Sequence, residues 1–201
     1  QIDSEVLNQF KNVYKEGEIK KGKNLLTFEV VKRNVYNFLK VELDSIVSGD
    51  AVKIITLEQR FERIFEHPSL PYPVKIGGSV DRIELRNGVL RIIDYKTGSV
   101  LQSHVEIVNW EDITTDYKKY SKSFQVLLYA FMYANMNNLN FEEQLIESGI
   151  ISFKNLGSGF LKFTEKTNKK DTTITQETLV LFKEQLVALI QEICDISIDF
   201  Q

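Results

Sequence analysis

Gly77-Gly78-Ser79-Val80-Asp81-Arg82-Ile83-Glu84-Leu85-Arg86-Asn87-Gly88-Val89-Leu90-Arg91-Ile92-Ile93-Asp94-Tyr95-Lys96-Thr97-Gly98 reads as a β-hairpin. Its two arms alternate and are rich in β-branched residues, and Asn-Gly is the strongest short hairpin signal. With a two-residue turn, Asp81 falls directly opposite Asp94, and the period-2 pleat puts Lys96 on the same face. A three-residue Arg86-Asn87-Gly88 loop with a bulge would shift this register. Like charges facing each other across strands repel. At about 5 Å and an effective dielectric near 20 the penalty is roughly 3 kcal/mol, and a cation between the acids reverses its sign. The same face carries Ile83, Leu85, Leu90 and Ile92, which is not the pattern of a solvated edge. On the other face, Glu84 and Arg91 are expected to form an ordinary cross-strand ion pair.

Two carboxylates are the minimum that Mg²⁺ commonly takes from a protein, the rest of its shell being water and substrate phosphate. A backbone carbonyl at Tyr95 offers one more oxygen. Lys96 is suited to hold an attacking water and to steady negative charge in a transition state. Together these groups suit metal-dependent hydrolysis of a phosphodiester. If the acids do oppose each other, Asp81→Ala is expected to stabilise the metal-free protein.

The totals fit this chemistry. The chain has 201 residues, 43% hydrophobic and 26% charged, enough for one domain, 1–201, with a sizeable core. A net charge of −3 argues against non-specific nucleic-acid binding over the whole surface but leaves room for a local basic groove. No apolar run approaches a membrane span, and no signal-peptide pattern opens the chain. The single cysteine, Cys194, excludes an internal disulfide or a Cys-built cluster within these residues and fits a reducing, cytoplasmic setting. The first residue is Gln1, which suggests a fragment of a longer chain.

Periodicity supplies the remaining elements. Residues 2–14 read as a short helix, and Phe28 to Ile46 recur at helical spacing over about 26–47. A β-rich stretch, 52–65, precedes a proline loop and the hairpin at about 74–97. Residues 98–121 show no period, and a loop of that length inside a domain is usually functional or mobile. Ser121 or Ser123 is placed to cap a helix running to about Asn137. Strands follow at 150–156 and 160–163, then a helix with a Thr173-x-x-Gln176 capping box. The order implies an α/β domain with a mixed sheet flanked by helices. Lys118, Lys119 and Lys122, interleaved with Tyr117 and Tyr120, suit phosphate contact and base stacking for single-stranded DNA, or form a plain solvated loop. Trp110 either stacks on a base or anchors its loop.

The strings Gly78-Ser79-Val80-Asp81-Arg82-Ile83-Glu84, Ile92-Ile93-Asp94-Tyr95-Lys96-Thr97-Gly98 and Gln125-Val126-Leu127-Leu128-Tyr129-Ala130 together resemble the PD-(D/E)XK nuclease superfamily. Within it they are similar to the RecB/AddB-type exonuclease domains of bacterial helicase–nucleases. The resemblance implies a restriction-endonuclease-like fold, with Asp81 and Asp94 binding Mg²⁺ or Mn²⁺ and Lys96 as the catalytic lysine. It implies that Gln125 and Tyr129, neighbours at i and i+4 on a helix, border the site and contact DNA or order the lysine. It further implies a DNA substrate, single strands or ends, a role in recombination or repair, and a helicase domain or subunit as partner. Glu58, on the preceding strand, lies near the site in such an arrangement. Relatives usually carry a further His or Glu on an N-terminal helix; it is either Glu5, by elimination, or a residue upstream of Gln1, and His67 and His104 read as surface residues. A cluster of the iron–sulfur kind would need cysteines beyond these residues. Two other readings compete: a non-catalytic DNA-binding scaffold that keeps the fold, and a small-molecule phosphohydrolase, which lacks a phosphate-cradling glycine loop.

Overall fold

The computed structural model describes residues 2–15, 18, 21–166 and 171–198. Two helices open the chain, α1 (Ile2–Tyr14) and α2 (Gly22–Val47), joined by an edge-to-face contact of Phe10 and Phe28 at 5.5 Å. Then come strands β1 (Val52–Phe65), β2 (Val74–Arg86) and β3 (Val89–Lys96). A short β4 (Glu106–Ile107) and a one-turn α3 (Asp112–Thr115) lead into the long α4 (Tyr117–Asn137). β5 (Ile146–Ser152), β6 (Phe160–Lys162), β7 (Thr164–Glu165) and α5 (Gln176–Cys194) complete the order.

The main sheet is mixed, in the order β1-β2-β3-β5-β6, and β4 pairs with β7 apart from it. β1 to β3 form an antiparallel meander, β5 joins β3 in parallel, and β6 closes the far edge antiparallel. The parallel step requires a crossover, which α4 supplies. α4 lies on one face of the sheet with α5 packed over it, through Phe124–Phe182 at 5.2 Å and Phe131–Phe182 at 6.0 Å. α2 lies on the opposite face. The core fills the layer between α4 and the sheet, where Val80, Ile83, Val126, Leu127 and Ile150 are fully enclosed. Every residue of β5 is buried, as expected of a strand covered on both sides. No helix among the described residues is long and apolar enough to cross a membrane.

The hairpin has the two-residue turn. Asn87 and Gly88 take φ of 52° and 81°, the positive pair that suits the twist of antiparallel strands. Pairing runs from Arg86↔Val89 to Arg82↔Ile93, so Asp81 and Asp94 come next in register.

Three local readings are corrected. Helix α4 begins at Tyr117, earlier than either serine, because the Asp116 side chain accepts the Lys119 N–H at 3.1 Å. α5 is capped by Thr175 and Thr178 in place of Thr173 and Gln176. The stretch 98–121 is a structural element, not a mobile loop: a 3₁₀ turn, β4 and α3 bury Val100, Val105, Ile107 and Ile113. Trp110 belongs to that plug. Its ring lies 6.4 Å from Phe163 and its Nε1–H donates to Glu165 at 3.2 Å, so it is the anchor and not a base-stacking platform. Trp110→Ala should therefore lower stability by about 3 kcal/mol or more, measured by urea denaturation. A loss within about 0.5 kcal/mol, the range of surface substitutions, would mean that the plug is not core.

Candidate active site

The site forms where β2 changes sides. A Cβ on Gly78 would come within 2.9 Å of the Tyr129 ring, so Gly78 faces α4. Four residues on, Arg82 meets Glu42 of α2 on the opposite face. Strict alternation would keep these two residues together, so the strand turns over between them. The turnover coincides with Glu58 on β1, whose φ of 48° is exceptional within a strand. Regular partners flank it as Leu57↔Arg82 and Gln59↔Val80, leaving Glu58 and Asp81 opposed but outside the ladder. Asp81 keeps the face of Ile83, Asp94 and Lys96 that the turn assigns, and the kink brings Gly78 and the Tyr129 ring onto that face.

Asp81 Oδ2 accepts the Tyr95 N–H at 2.6 Å. Asp94 is 4% exposed. Burial pushes its carboxyl above the usual range; the Lys96 ammonium opposes this, and the charge on Asp81 adds to it. Lys96 Nζ stands 2.8 Å from Asp94 Oδ2, while its own side chain remains about one-third open to solvent, at 31%. That Oδ2 is buried and has no well-aligned hydrogen bond, so Lys96 meets it as a charge contact.

Gln125 and Tyr129 come from α4. Gln125 Nε2 donates to Tyr129 Oη at 2.8 Å. The buried Tyr129 hydroxyl is pushed up by desolvation, offset by Gln125, with Asp94, Lys96 and Asp81 all within electrostatic reach. Thus the three motif segments converge, and Gly78 leaves the space that the Tyr129 ring occupies. Gly78's role was legible as a glycine on a strand where another group approaches closely. Lys118, Lys122, Gln125 and Tyr129 follow one another at i, i+4, i+7 and i+11, one stripe of α4 about 16 Å long. Lys118 is exposed, Lys122 half-buried, and Lys119 lies over the Tyr120 ring at 4.5 Å. Tyr120 is 1% exposed and serves the core, leaving Tyr117, 79% exposed, as the free aromatic beside the lysines.

Other expected groups stay apart. Glu5 accepts from Gln9 on α1 at 2.9 Å. His67 Nδ1 and His104 Nδ1 accept the N–H groups of Ser69 and Leu101, each at 3.3 Å. Cys194, half-buried at the end of α5, accepts from Tyr72 Oη at 3.1 Å. Glu84 and Arg91 do not pair. Glu84 is fully enclosed between Arg82 and Arg86, and Arg91 Nε binds Glu147 at 3.0 Å. The reason is α2, which brings Glu42 onto that face and draws the arginines together.

Among the described residues, no cluster of three or more His, Cys, Asp or Glu side chains is placed to share an ion. Two carboxylates, one with a buried oxygen lacking an aligned donor, nevertheless fit a hard divalent cation that completes its shell with water and phosphate.

A mixed sheet with helices on both faces, two acids and a lysine on adjacent central strands and a Gln–Tyr pair on the crossover helix define a restriction-endonuclease-like fold. The family model described as PD-(D/E)XK nuclease superfamily matches residues 5–199, and the chain belongs to that superfamily. Comparison with curated proteins gives no match.

Asp94's raised pKa has a sign in stability. A folded-state pKa above the unfolded value means that the native state binds more protons between the two, so metal-free stability falls as pH rises through that window. Asp81→Asn retains an acceptor for the Tyr95 N–H and removes the repelling charge. It should lower the Asp94 pKa, followed by carboxyl-carbon NMR, and raise the metal-free Tm at neutral pH by about 2–4 °C per kcal/mol relieved. An unchanged Asp94 titration would show that the two carboxylates do not interact.

Proposed function

We propose that residues 1–201 act as one metal-dependent deoxyribonuclease domain, an exonuclease of the RecB/AddB type that processes DNA single strands or ends in recombination and repair. The observation that carries this reading is the convergence of Asp81, a desolvated Asp94 and Lys96 at one kink, beside Gln125 and Tyr129. In this reading Mg²⁺ or Mn²⁺ is held by Asp81, Asp94 and the Tyr95 backbone carbonyl, and supplies Lewis-acid stabilisation of charge and acidification of water. Lys96 is the catalytic lysine. Its partly open ammonium orients the attacking water and offsets the negative charge that grows on the phosphoryl oxygens. The water oxygen bonds to phosphorus, one P–O ester bond breaks, and the departing oxygen takes up a proton. Gln125 fixes the Tyr129 hydroxyl at the rim of the site, where the pair contacts DNA. Lys118, Lys119 and Lys122 meet phosphates along the same helix, with Tyr117 available to stack on a base. The working setting is the cytoplasm, with a helicase domain or subunit delivering the strand.

One observation favours a second reading, a DNA-binding scaffold without catalysis: the described residues bring no third His, Cys, Asp or Glu side chain to the two acids. Calorimetry separates the two, since a retired site binds neither Mg²⁺ nor Mn²⁺. A Mn²⁺ cleavage assay on single- and double-stranded DNA tests the leading reading directly. Lys96→Ala should reduce the cleavage rate by at least about 10²-fold while the circular dichroism stays that of the parent. Cleavage at the parent rate would remove Lys96 from the chemistry.

A further inference from the structure

The sheet face turned away from the acids carries a buried ion network. Arg82 Nη2 donates to Glu42 Oε2 at 2.8 Å and also contacts Glu84. Arg86 Nη2 donates to both Glu42 oxygens, at 2.8 and 2.9 Å, and its Nε donates to Glu84 at 2.9 Å. Its Nη1 reaches Ser45 at 2.6 Å and Asp50 at 3.1 Å. Arg82, Glu84 and Arg86 are all buried. Burying several charges is weak evidence of stabilisation, because desolvation offsets much of the attraction. The helix that supplies Glu42 also has no buried residue of its own. These charges therefore call for a role other than adhesion, and their geometry supplies one.

Arg82 lies diagonal to Tyr95 across the hairpin, and Arg82 Nη1 donates to Tyr95 Oη at 3.3 Å. The Tyr95 ring is wedged between Phe38 of α2, at 5.4 Å, and Phe153, at 5.3 Å. Tyr95 thus points its side chain into the α2 face while its backbone sits in the candidate site between Asp94 and Lys96. Its N–H is the group that holds Asp81.

We propose that Glu42 and Arg82, acting through the Tyr95 hydroxyl, brace the backbone of β3 from behind and so set the spacing of Asp81 and Asp94 for a divalent ion. They are positioning residues: neither touches the ion or the substrate, and α2 becomes a part of the site's geometry on the far side of the sheet. The proposal rests on the nuclease reading for its use, but the brace itself is a property of the metal-free protein.

Tyr95→Phe removes the hydroxyl and keeps the ring; Glu42→Gln keeps the shape and removes the charge that orients Arg82. In the metal-free protein, amide hydrogen exchange of Tyr95 should speed up by about tenfold in either variant; Tm should stay within a few degrees of the parent for Tyr95→Phe, whereas Glu42→Gln, which leaves two buried arginines short of a partner, should lower it. Mn²⁺ affinity, by calorimetry, should fall by about 10- to 100-fold, the usual cost of losing a partner that orients a metal ligand. The rate of cleavage should fall with KM for DNA unchanged. A merely structural network would lower Tm and leave the affinity of the folded fraction alone. Parent-like Tyr95 exchange in both variants would overturn the brace, as would parent-like Mn²⁺ affinity. If the parent itself binds no Mn²⁺, the nuclease reading falls, and the exchange measurement alone decides whether Glu42 and Arg82 hold Tyr95.

Discussion

Two negative charges on neighbouring strands are the constraint around which this molecule is arranged. Each charge makes the other harder to hold, and at Asp94 the repulsion adds to the effect of burial. The structure meets it unequally. Asp81 receives a backbone dipole, the Tyr95 N–H. Asp94, the more buried acid, receives a full charge from Lys96. Burial still dominates at Asp94 and keeps its carboxyl harder to ionise than usual. A divalent cation held there would offset both the repulsion between the acids and the burial of Asp94.

Regular pairing outward from the turn puts Asp81 opposite Asp94 and Arg82 on the α2 face. Counting on by twos, Gly78 would fall on the α2 face with Arg82, yet it faces α4. The kink opposite Glu58 makes that change. A non-glycine residue at positive φ inside a strand is strained by an amount of order 1 kcal/mol and persists only where its surroundings over-determine it. Here regular pairing holds it from both sides, through Leu57↔Arg82 and Gln59↔Val80. The irregularity sets Gly78, and with it the Tyr129 ring, on the face that carries the acids, so the Gln–Tyr pair meets them because of the kink.

Local turn chemistry was legible in the chain, and contacts distant in sequence were not. Asn87-Gly88 determines its own turn, so the hairpin register and the opposition of Asp81 to Asp94 could be read locally. The helix carrying Gln125 and Tyr129 announced itself by its period. What could not be read depended on contacts distant in sequence. Glu84 and Arg91 are cross-strand neighbours, yet each found other partners once Glu42, from α2, and Glu147, from β5, arrived. Residues 98–121 bury a plug with no helical or strand period because a 3₁₀ turn, a two-residue strand and a one-turn helix each contribute a few side chains. Tyr120 looked like a companion to the lysines but turns inward, a choice made by the packing of α4 and invisible in composition.

Membership of a superfamily establishes the fold, whereas activity belongs to the side chains placed on it. A chain that used this fold only as a platform has no need of either charge: Asn at 81 retains the acceptor for Tyr95, and Asn at 94 removes the charge that burial opposes. Both changes are chemically small. Proteins that keep a group at a cost to stability usually keep it for function, because activity calls for features that packing alone would eliminate. Asp81, Asp94 and Lys96 remain together at a strained kink, beside a tyrosine whose ring occupies the space a Gly78 side chain would need. That combination is hard to account for as a by-product of folding, and it is what an ion and a phosphodiester would require.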